Sequence, residues 1–117
     1  AYGTMVNEAL AAARALAAEG IDARVVKPGI VCPLPAEELF SALGTEAVVF
    51  AEEVCAAGCL GERALAAASL AGRPLRARLL NLGGGVVGQG SAAELRAARG
   101  IDAAAIVKAV KELIYER

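Results

Sequence analysis

Apolar and polar residues follow two different spacings along the chain. Apolar residues recur every three to four positions in five segments, which is typical of helices packed on one face. The helices predicted in this way run from Met5 to Glu19, through Leu39 to Leu43, from the 55–61 loop to Leu70, from Ser91 to Gly100, and from Asp102 through Ile114. Thr4, Ser91 and Asp102 are predicted N-caps, and Ser91 with Glu94 forms a capping-box signature.

Short apolar runs predict strands at 23–26, 47–51 and 75–80. The run 47–51 is apolar throughout, as in strands of parallel sheets that helices cover on both faces. Arg76 and Arg78 alternate with apolar residues, so we expect the last strand to be an antiparallel edge strand. Strands that alternate with helices predict an α/β fold, a three-layer α/β/α sandwich with a mostly parallel sheet.

The first predicted helix begins almost at residue 1, and no strand leads into it. In an alternating α/β fold such a helix is usually fed by a strand. We therefore expect that the first strand lies upstream of Tyr2 and is truncated. On this interpretation residues 1–117 are a single domain excised from a larger chain.

Composition narrows the class of protein. Of the 117 residues, 57% are apolar and 21% charged, which excludes a disordered chain. With 12 Lys and Arg, 13 Asp and Glu and 3% aromatic residues, nucleic acid is not the expected partner. The apolar runs are too short to cross a membrane, and three cysteines without an export signal favour the cytoplasm. Because histidine is absent, chemistry would need carboxylates, thiols or a second polypeptide.

Glu52 and Glu53 directly follow the buried strand 47–51, where open α/β sheets tend to place functional groups. We expect one carboxylate to accept backbone N–H groups from the 55–61 loop and so to fix the shape of that loop. The other should face solvent or a partner domain. No histidine or lysine lies nearby in sequence to complete an acid–base pair, so we predict no catalytic residue here.

The segment 83–90 matches the spacing G-x-G-x-x-G, which binds dinucleotide phosphates when it runs straight into a helix. Here Gln89 and Gly90 intervene before the Ser91 cap. A flexible loop is the favoured interpretation, and a stand-alone module that binds a nucleotide or anion is the alternative of a different functional class.

Two further clusters have simple structural interpretations. The chain has three cysteines, Cys32, Cys55 and Cys59. Three thiols without histidine make a poor zinc site, so we expect these cysteines to be small buried core residues that bind no metal. Three arginines lie close together in sequence, Arg73, Arg76 and Arg78. They could form an anion-binding patch, but a solvated strand face is the favoured interpretation.

Several motifs together resemble a known family. Residues 2–10, Y-G-T-M-V-N-E-A-L, resemble the opening of the C-terminal domain of transketolase, which occurs in thiamine-diphosphate enzymes. Residues 33–39 are similar to the K-P-L-D-E-E-L segment of that family, and the stretch from Glu52 to Gly61 resembles its E-E-x...G-G-x-G-S motif. The runs N-L-G, G-S, E-L, G-I-D and I-V between residues 81 and 107 resemble its 1-deoxy-D-xylulose-5-phosphate synthase branch. Gln89 stands where the family usually has histidine.

This resemblance implies a function for the parent enzyme rather than for the domain alone. The parent would join decarboxylated pyruvate to glyceraldehyde 3-phosphate, with thiamine diphosphate and magnesium held by its N-terminal and middle domains. This domain would pack against those domains and support a homodimer, without catalytic, cofactor-binding or metal-binding residues. Interface or loop-fixing roles fall to Glu52, Glu53, Gly58 and Gln89. The alternative parent is a 2-oxoacid dehydrogenase β subunit or a transketolase half.

Overall fold

The computed structural model describes residues 1–44 and 47–116. Their elements follow in the order α1 (Met5–Ala18), α2 (Ala36–Leu43), β1 (Ala47–Ala51), α3 (Leu60–Leu70), β2 (Arg76–Leu80), α4 (Ala92–Arg99) and α5 (Ala103–Tyr115). The five predicted helices and two of the three predicted strands are confirmed. Within these residues, no helix combines the length and the apolar character that a membrane crossing requires.

The two strands are parallel neighbours, with Ala47 opposite Arg76 and Ala51 opposite Leu80. The antiparallel direction predicted for the edge strand is therefore wrong. Helix α3 lies in the connection between the strands. Such a crossover returns the chain to the end of the sheet at which β1 begins, so β2 runs in the same direction. Alternation of arginines with apolar residues indicates that one face of the strand is exposed to solvent, but it does not indicate the direction of the strand.

The third predicted strand, at 23–26, is not formed among the described residues. The Arg24 guanidinium donates to the carbonyls of Ala42 and Leu43, both at 2.6 Å, at the end of α2. The amino group of Ala1 donates to the Val26 carbonyl at 3.1 Å. β-Branched residues favour extended backbone, but a strand also needs a hydrogen-bonded neighbour. Residues 23–26 and β1 both line a cavity of about 550 Å³, which lies where a neighbouring strand would be expected.

Helices cover both faces of the small sheet. On one face, α2 and α3 pack against Val48 and Phe50 of β1. On the other face, α1 and α5 pack against Val49 and Ala51. Because successive side chains of a strand point to opposite faces, this one strand contributes to two cores. The predicted α/β/α layering is confirmed.

Two of the three predicted N-caps, Ser91 and Asp102, make a side-chain cap hydrogen bond. Ser91 and Glu94 form the predicted capping box, with N···O distances of 3.2 and 3.3 Å. Asp102 caps α5 through its side chain, as predicted. Thr4 occupies the N-cap position of α1, as predicted, but its hydroxyl donates to Glu53 and its side chain makes no cap hydrogen bond. Thr4 has helical backbone angles (φ −61°, ψ −24°) instead of the extended ones that are typical of a side-chain cap.

Candidate functional site at the end of strand β1

Among the residues that the structure describes, Glu52 is the one charged residue that is buried, with 1% of its surface exposed. Its backbone N–H donates to the Leu80 carbonyl at 2.9 Å, which extends the pairing of the two strands by one residue. Its Oε1 accepts the N–H of Leu60 at 2.7 Å and its Oε2 accepts the N–H of Gly61 at 2.9 Å. The carboxylate therefore lies against the first turn of α3.

This arrangement explains how a carboxylate is accommodated inside the domain. The first N–H groups of a helix have no partner within the helix, and the helix dipole places partial positive charge there. Glu52 satisfies two of these groups and also accepts the hydroxyl of Tyr2 at 2.8 Å. Burial of the phenol, together with this bond and the negative charge beside it, raises the pKa of Tyr2 to about 12.

Glu53 points to a different set of partners. It accepts the Thr4 hydroxyl, and its two carboxylate oxygens accept Nε and Nη2 of Arg96, each at 3.3 Å. Arg96 Nη1 also lies 3.9 Å from Oε1 of Glu8. The bond from Thr4 and then the contact with Arg96 lower the pKa of Glu53. Glu53 is thus an ionised member of a charge network that joins α1, β1 and α4.

The turn before α3 is held by its own polar contacts. Gly58 has a φ of +75°, a conformation that favours glycine. Its N–H donates to Oε2 of Glu62 at 2.9 Å, and its carbonyl accepts Nε of Arg63 at 3.1 Å. Arg63 Nη1 donates to the Val31 carbonyl at 2.6 Å and so connects this turn to the proline-containing loop.

The cysteines do not form a site. Cys59 is buried and its sulfur accepts the N–H of Glu62 at 3.5 Å, and burial raises the pKa of its thiol. Cys32 and Cys55 are exposed, so their predicted placement in the core is wrong. Both lie in loops, where an apolar residue need not face a core. No cluster of possible metal ligands is found within 1–44 and 47–116.

The glycine-rich segment 83–90 is a loop, as predicted, and α4 begins only at Ala92. Gly83 anchors its start: its N–H donates to Oδ1 of Asn81 at 2.9 Å, and its carbonyl accepts the N–H of Ala56 at 3.0 Å. The Gln89 side chain is exposed and takes part in none of the hydrogen bonds found across the described part of the chain. The structure therefore brings Glu52, Glu53 and the Gly58 turn together around the end of β1, but it gives Gln89 no place in that arrangement.

Sequence reasoning missed the partners of the two carboxylates. Tyr2 and Thr4 lie about 50 positions from Glu52 and Glu53, and Arg96 lies 43 positions from Glu53. The one available signal was the Y-G-T motif at the start of the chain, which contains both Tyr2 and Thr4. The arrangement binds helix ends and loops together through the two carboxylates.

Comparison with known proteins gives consistent matches. A family model described as the C-terminal domain of transketolase matches residues 1–106. The chain is similar to 1-deoxy-D-xylulose-5-phosphate synthase of Anaeromyxobacter sp. (strain K), with 43% identity over the whole chain and 19% of that protein. The synthase of Bordetella avium (strain 197N) is 38% identical over 95% of the chain and 17% of that protein.

Among solved structures, the chain resembles a split-gene transketolase described as an inactive β4 tetramer. The TM-score is 0.82 and the identity 33%, over 97% of this chain and 36% of that chain. The chain thus spans 19% or less of the curated relatives described above and about a third of the solved one.

Proposed function

Because the chain belongs to the transketolase C-terminal domain family, we propose that it is the C-terminal domain of a thiamine-diphosphate-dependent 1-deoxy-D-xylulose-5-phosphate synthase. The parent enzyme would join decarboxylated pyruvate to glyceraldehyde 3-phosphate in isoprenoid precursor synthesis. The observation that carries this proposal is similarity to such synthases over the whole chain but only 19% of their length. The remaining length would supply the N-terminal and middle domains, which are the expected partners in a cytoplasmic homodimer.

The residues of this domain do not fit thiamine diphosphate. A site for its pyrophosphate and magnesium needs free carboxylate or carbonyl oxygens around the metal. Here Glu52 and Glu53 are both occupied by donors of this chain, and no cluster of possible metal ligands lies within the described ranges. Within this proposal the cofactor would be held by the other domains of the parent, and this domain would have a structural role.

A calorimetric titration tests whether the cofactor is bound by the other domains of the parent and not by this one. We expect the 117-residue chain alone to give no heat of binding with thiamine diphosphate and magnesium, and the full-length protein to bind both. Micromolar binding by the 117-residue chain would contradict the assignment. Failure of the full-length protein to form 1-deoxy-D-xylulose 5-phosphate would overturn the proposed activity while leaving the structural role intact.

The cavity between 23–26 and β1 supports a further part of the proposal, that the parent chain enters this domain as a strand. The cavity is lined by apolar residues from β1, α1 and α2. The Ala1 amino group lies beside it, bonded to the Val26 carbonyl, and burial lowers the pKa of this amine. An amide in a continuous chain would make the same bond without the cost of a buried charge. A strand upstream of Tyr2 would give 23–26 a neighbour and would give β1, which already pairs with β2, a second one.

Extension of the chain tests the incoming strand. We expect the native residues that precede Ala1 in the gene to raise the free energy of unfolding by several kcal/mol, because they fill the cavity and bury its apolar lining. An extension of equal length made of glycine and serine is the matched control and should have little effect. Equal effects of the two extensions would contradict the strand but would leave the enzyme assignment untouched.

The site residues take structural roles within this proposal. Glu52 and Gly58 fix the turn that begins α3, and Glu53 holds α4. Gln89, exposed in its loop, is available for contact with a neighbouring domain.

Two alternatives have their own discriminating measurements. The likeness to a split-gene transketolase favours a transketolase half as the second parent, and the upstream gene sequence would decide between them. A stand-alone nucleotide-binding module would show NMR shifts in residues 83–90 when nucleotide is added, and unchanged spectra would exclude it.

A further inference from the structure

We propose that residues 84–99 form a strap, held on the domain by arginine contacts rather than by core packing, that opens without unfolding the rest of the domain. The strap consists of the glycine-rich loop after Gly83 and helix α4. Its release would leave Glu8 and Glu53 without their shared guanidinium partner, Arg96, at the carboxyl end of β1.

The strap contributes little to either core. Helix α4 contains no buried residue, in contrast to the four other described helices. Leu95 is half-buried but, as far as residues 1–44 and 47–116 show, belongs to neither core cluster. Val86 at the tip of the loop is 94% exposed. A Cβ added at Gly84, Gly85 or Gly88 would meet no atom within 4 Å, so the loop is not packed against its surroundings.

Contacts of arginine side chains, rather than apolar packing, hold the strap on the domain. Arg96 bridges two carboxylates on other elements, with 3.3 Å contacts to Glu53 and a 3.9 Å contact to Glu8. All three side chains are only 20–29% exposed, so these contacts are stronger than those of a typical surface pair. Arg99 donates to the carbonyls of Leu82 at 3.3 Å and Val86 at 2.7 Å, which ties the loop to the end of α4.

Both ends of the strap are fixed, and so the two hinges are defined. At the first end, Gly83 is bonded to Asn81 and Ala56. At the second end, Gly100 has a φ of +67° and Ile101 is fully buried in the core cluster of α1 and α5. The capping box of α4 lies wholly within the strap, so the helix keeps its cap when the strap moves.

Hydrogen–deuterium exchange of the backbone amides tests the strap. In Arg96→Ala we expect the amides of α4 to exchange about fivefold faster, since a partly buried charge network is lost, while those of α5 are unchanged. Leu95→Ala should have a smaller effect on α4. Arg14→Ala, which removes an exposed arginine on α1, is the matched control and should change neither helix.

Salt supplies a second measurement on the unaltered chain, in case Arg96→Ala fails to fold. Raising sodium chloride from about 0.02 M to about 0.5 M screens the arginine contacts and should speed exchange in α4 selectively. The proposal is overturned if α4 and α5 always change together, or if Leu95→Ala releases α4 as much as Arg96→Ala does. It is also overturned if α4 amides are already unprotected at low salt, because the strap would then not be docked.

Discussion

At the scale of a single residue, the buried carboxylate of Glu52 stabilises the fold through its hydrogen bonds. Its oxygens accept two N–H groups of α3 and the hydroxyl of Tyr2. The two N–H groups lie at the start of α3, where they have no partner within the helix. The side chain therefore links the start of the chain, the sheet and α3 through one group.

Replacement of this carboxylate by an amide should be costly. In Glu52→Gln an NH₂ group would face one of the N–H donors of Leu60 and Gly61, and two donors in contact cannot bond. We expect the free energy of unfolding, measured with urea, to fall by about 2–3 kcal/mol. Glu38→Gln, at an exposed carboxylate in the first turn of α2, is the matched control and should change it little. Equal effects of the two substitutions would show that the three contacts contribute nothing.

Tyr2 should make stability depend on pH in the alkaline range. Folding raises the pKa of its phenol from 10.0 to about 12, so the folded state keeps a proton that the unfolded chain loses. The stabilisation is complete below the unfolded pKa and is lost as pH rises through the folded value. The difference in unfolding free energy between the unaltered chain and Tyr2→Phe should therefore shrink from pH 10 to 12. A difference that stayed constant across this range would contradict the shifted pKa.

At the scale of elements, the approach of α3 to the sheet depends on a glycine. Gly61 lies in the first turn of α3 and is buried. A Cβ there would lie 2.7 Å from Cγ of Leu79 and 3.1 Å from Cβ of Phe50. Alanine has the higher helix propensity, but contacts this short require the helix to move away from the strands.

Gly61→Ala should consequently destabilise the domain. We expect a loss of about 1–3 kcal/mol in the free energy of unfolding, since overpacking outweighs the gain in helix propensity. Gly29→Ala serves as control, because a Cβ at Gly29 meets nothing within 4 Å and its φ is not positive. That control should leave stability unchanged or slightly raised. A stabilising effect of Gly61→Ala would show that α3 can shift at no cost.

At the scale of the whole molecule, the small two-stranded sheet separates the two cores. Phe50 belongs to the core with α2 and α3, whereas Ile101 belongs to the core with α1 and α5. Because β1 supplies side chains to both, loss of one core removes the support of the other. The domain should therefore unfold as one unit, apart from the strap.

Truncation in either core tests this coupling. We expect Phe50→Ala and Ile101→Ala each to lower the free energy of unfolding by about 3 kcal/mol. Far-UV circular dichroism and tyrosine fluorescence should report the same urea midpoint in each variant. Leu70→Ala, at a side chain that is 91% exposed, is the control and should have little effect. Separate midpoints from the two probes would show that the cores unfold independently.

Much of the fold could be predicted from local sequence. The spacing of apolar residues predicted the five helices, and the capping signatures at Ser91 and Asp102 are present in the structure. The position of Glu52 and Glu53 after a buried strand also identified the candidate site. Which of the two carboxylates turns inward could not be predicted, since the donors on Tyr2 and Arg96 come from distant parts of the chain.

The sequence by itself determined the positions of the five helices and of β1 and β2, because spacing, caps and glycines act within a few residues of one another. Only the tertiary structure decided that β2 is parallel to β1 and that, within 1–44 and 47–116, the segment 23–26 pairs with no strand. It likewise decided which donors meet each carboxylate. Strand direction, pairing and ion contacts depend on groups that are remote in sequence, and their energies arise only once the layers have packed.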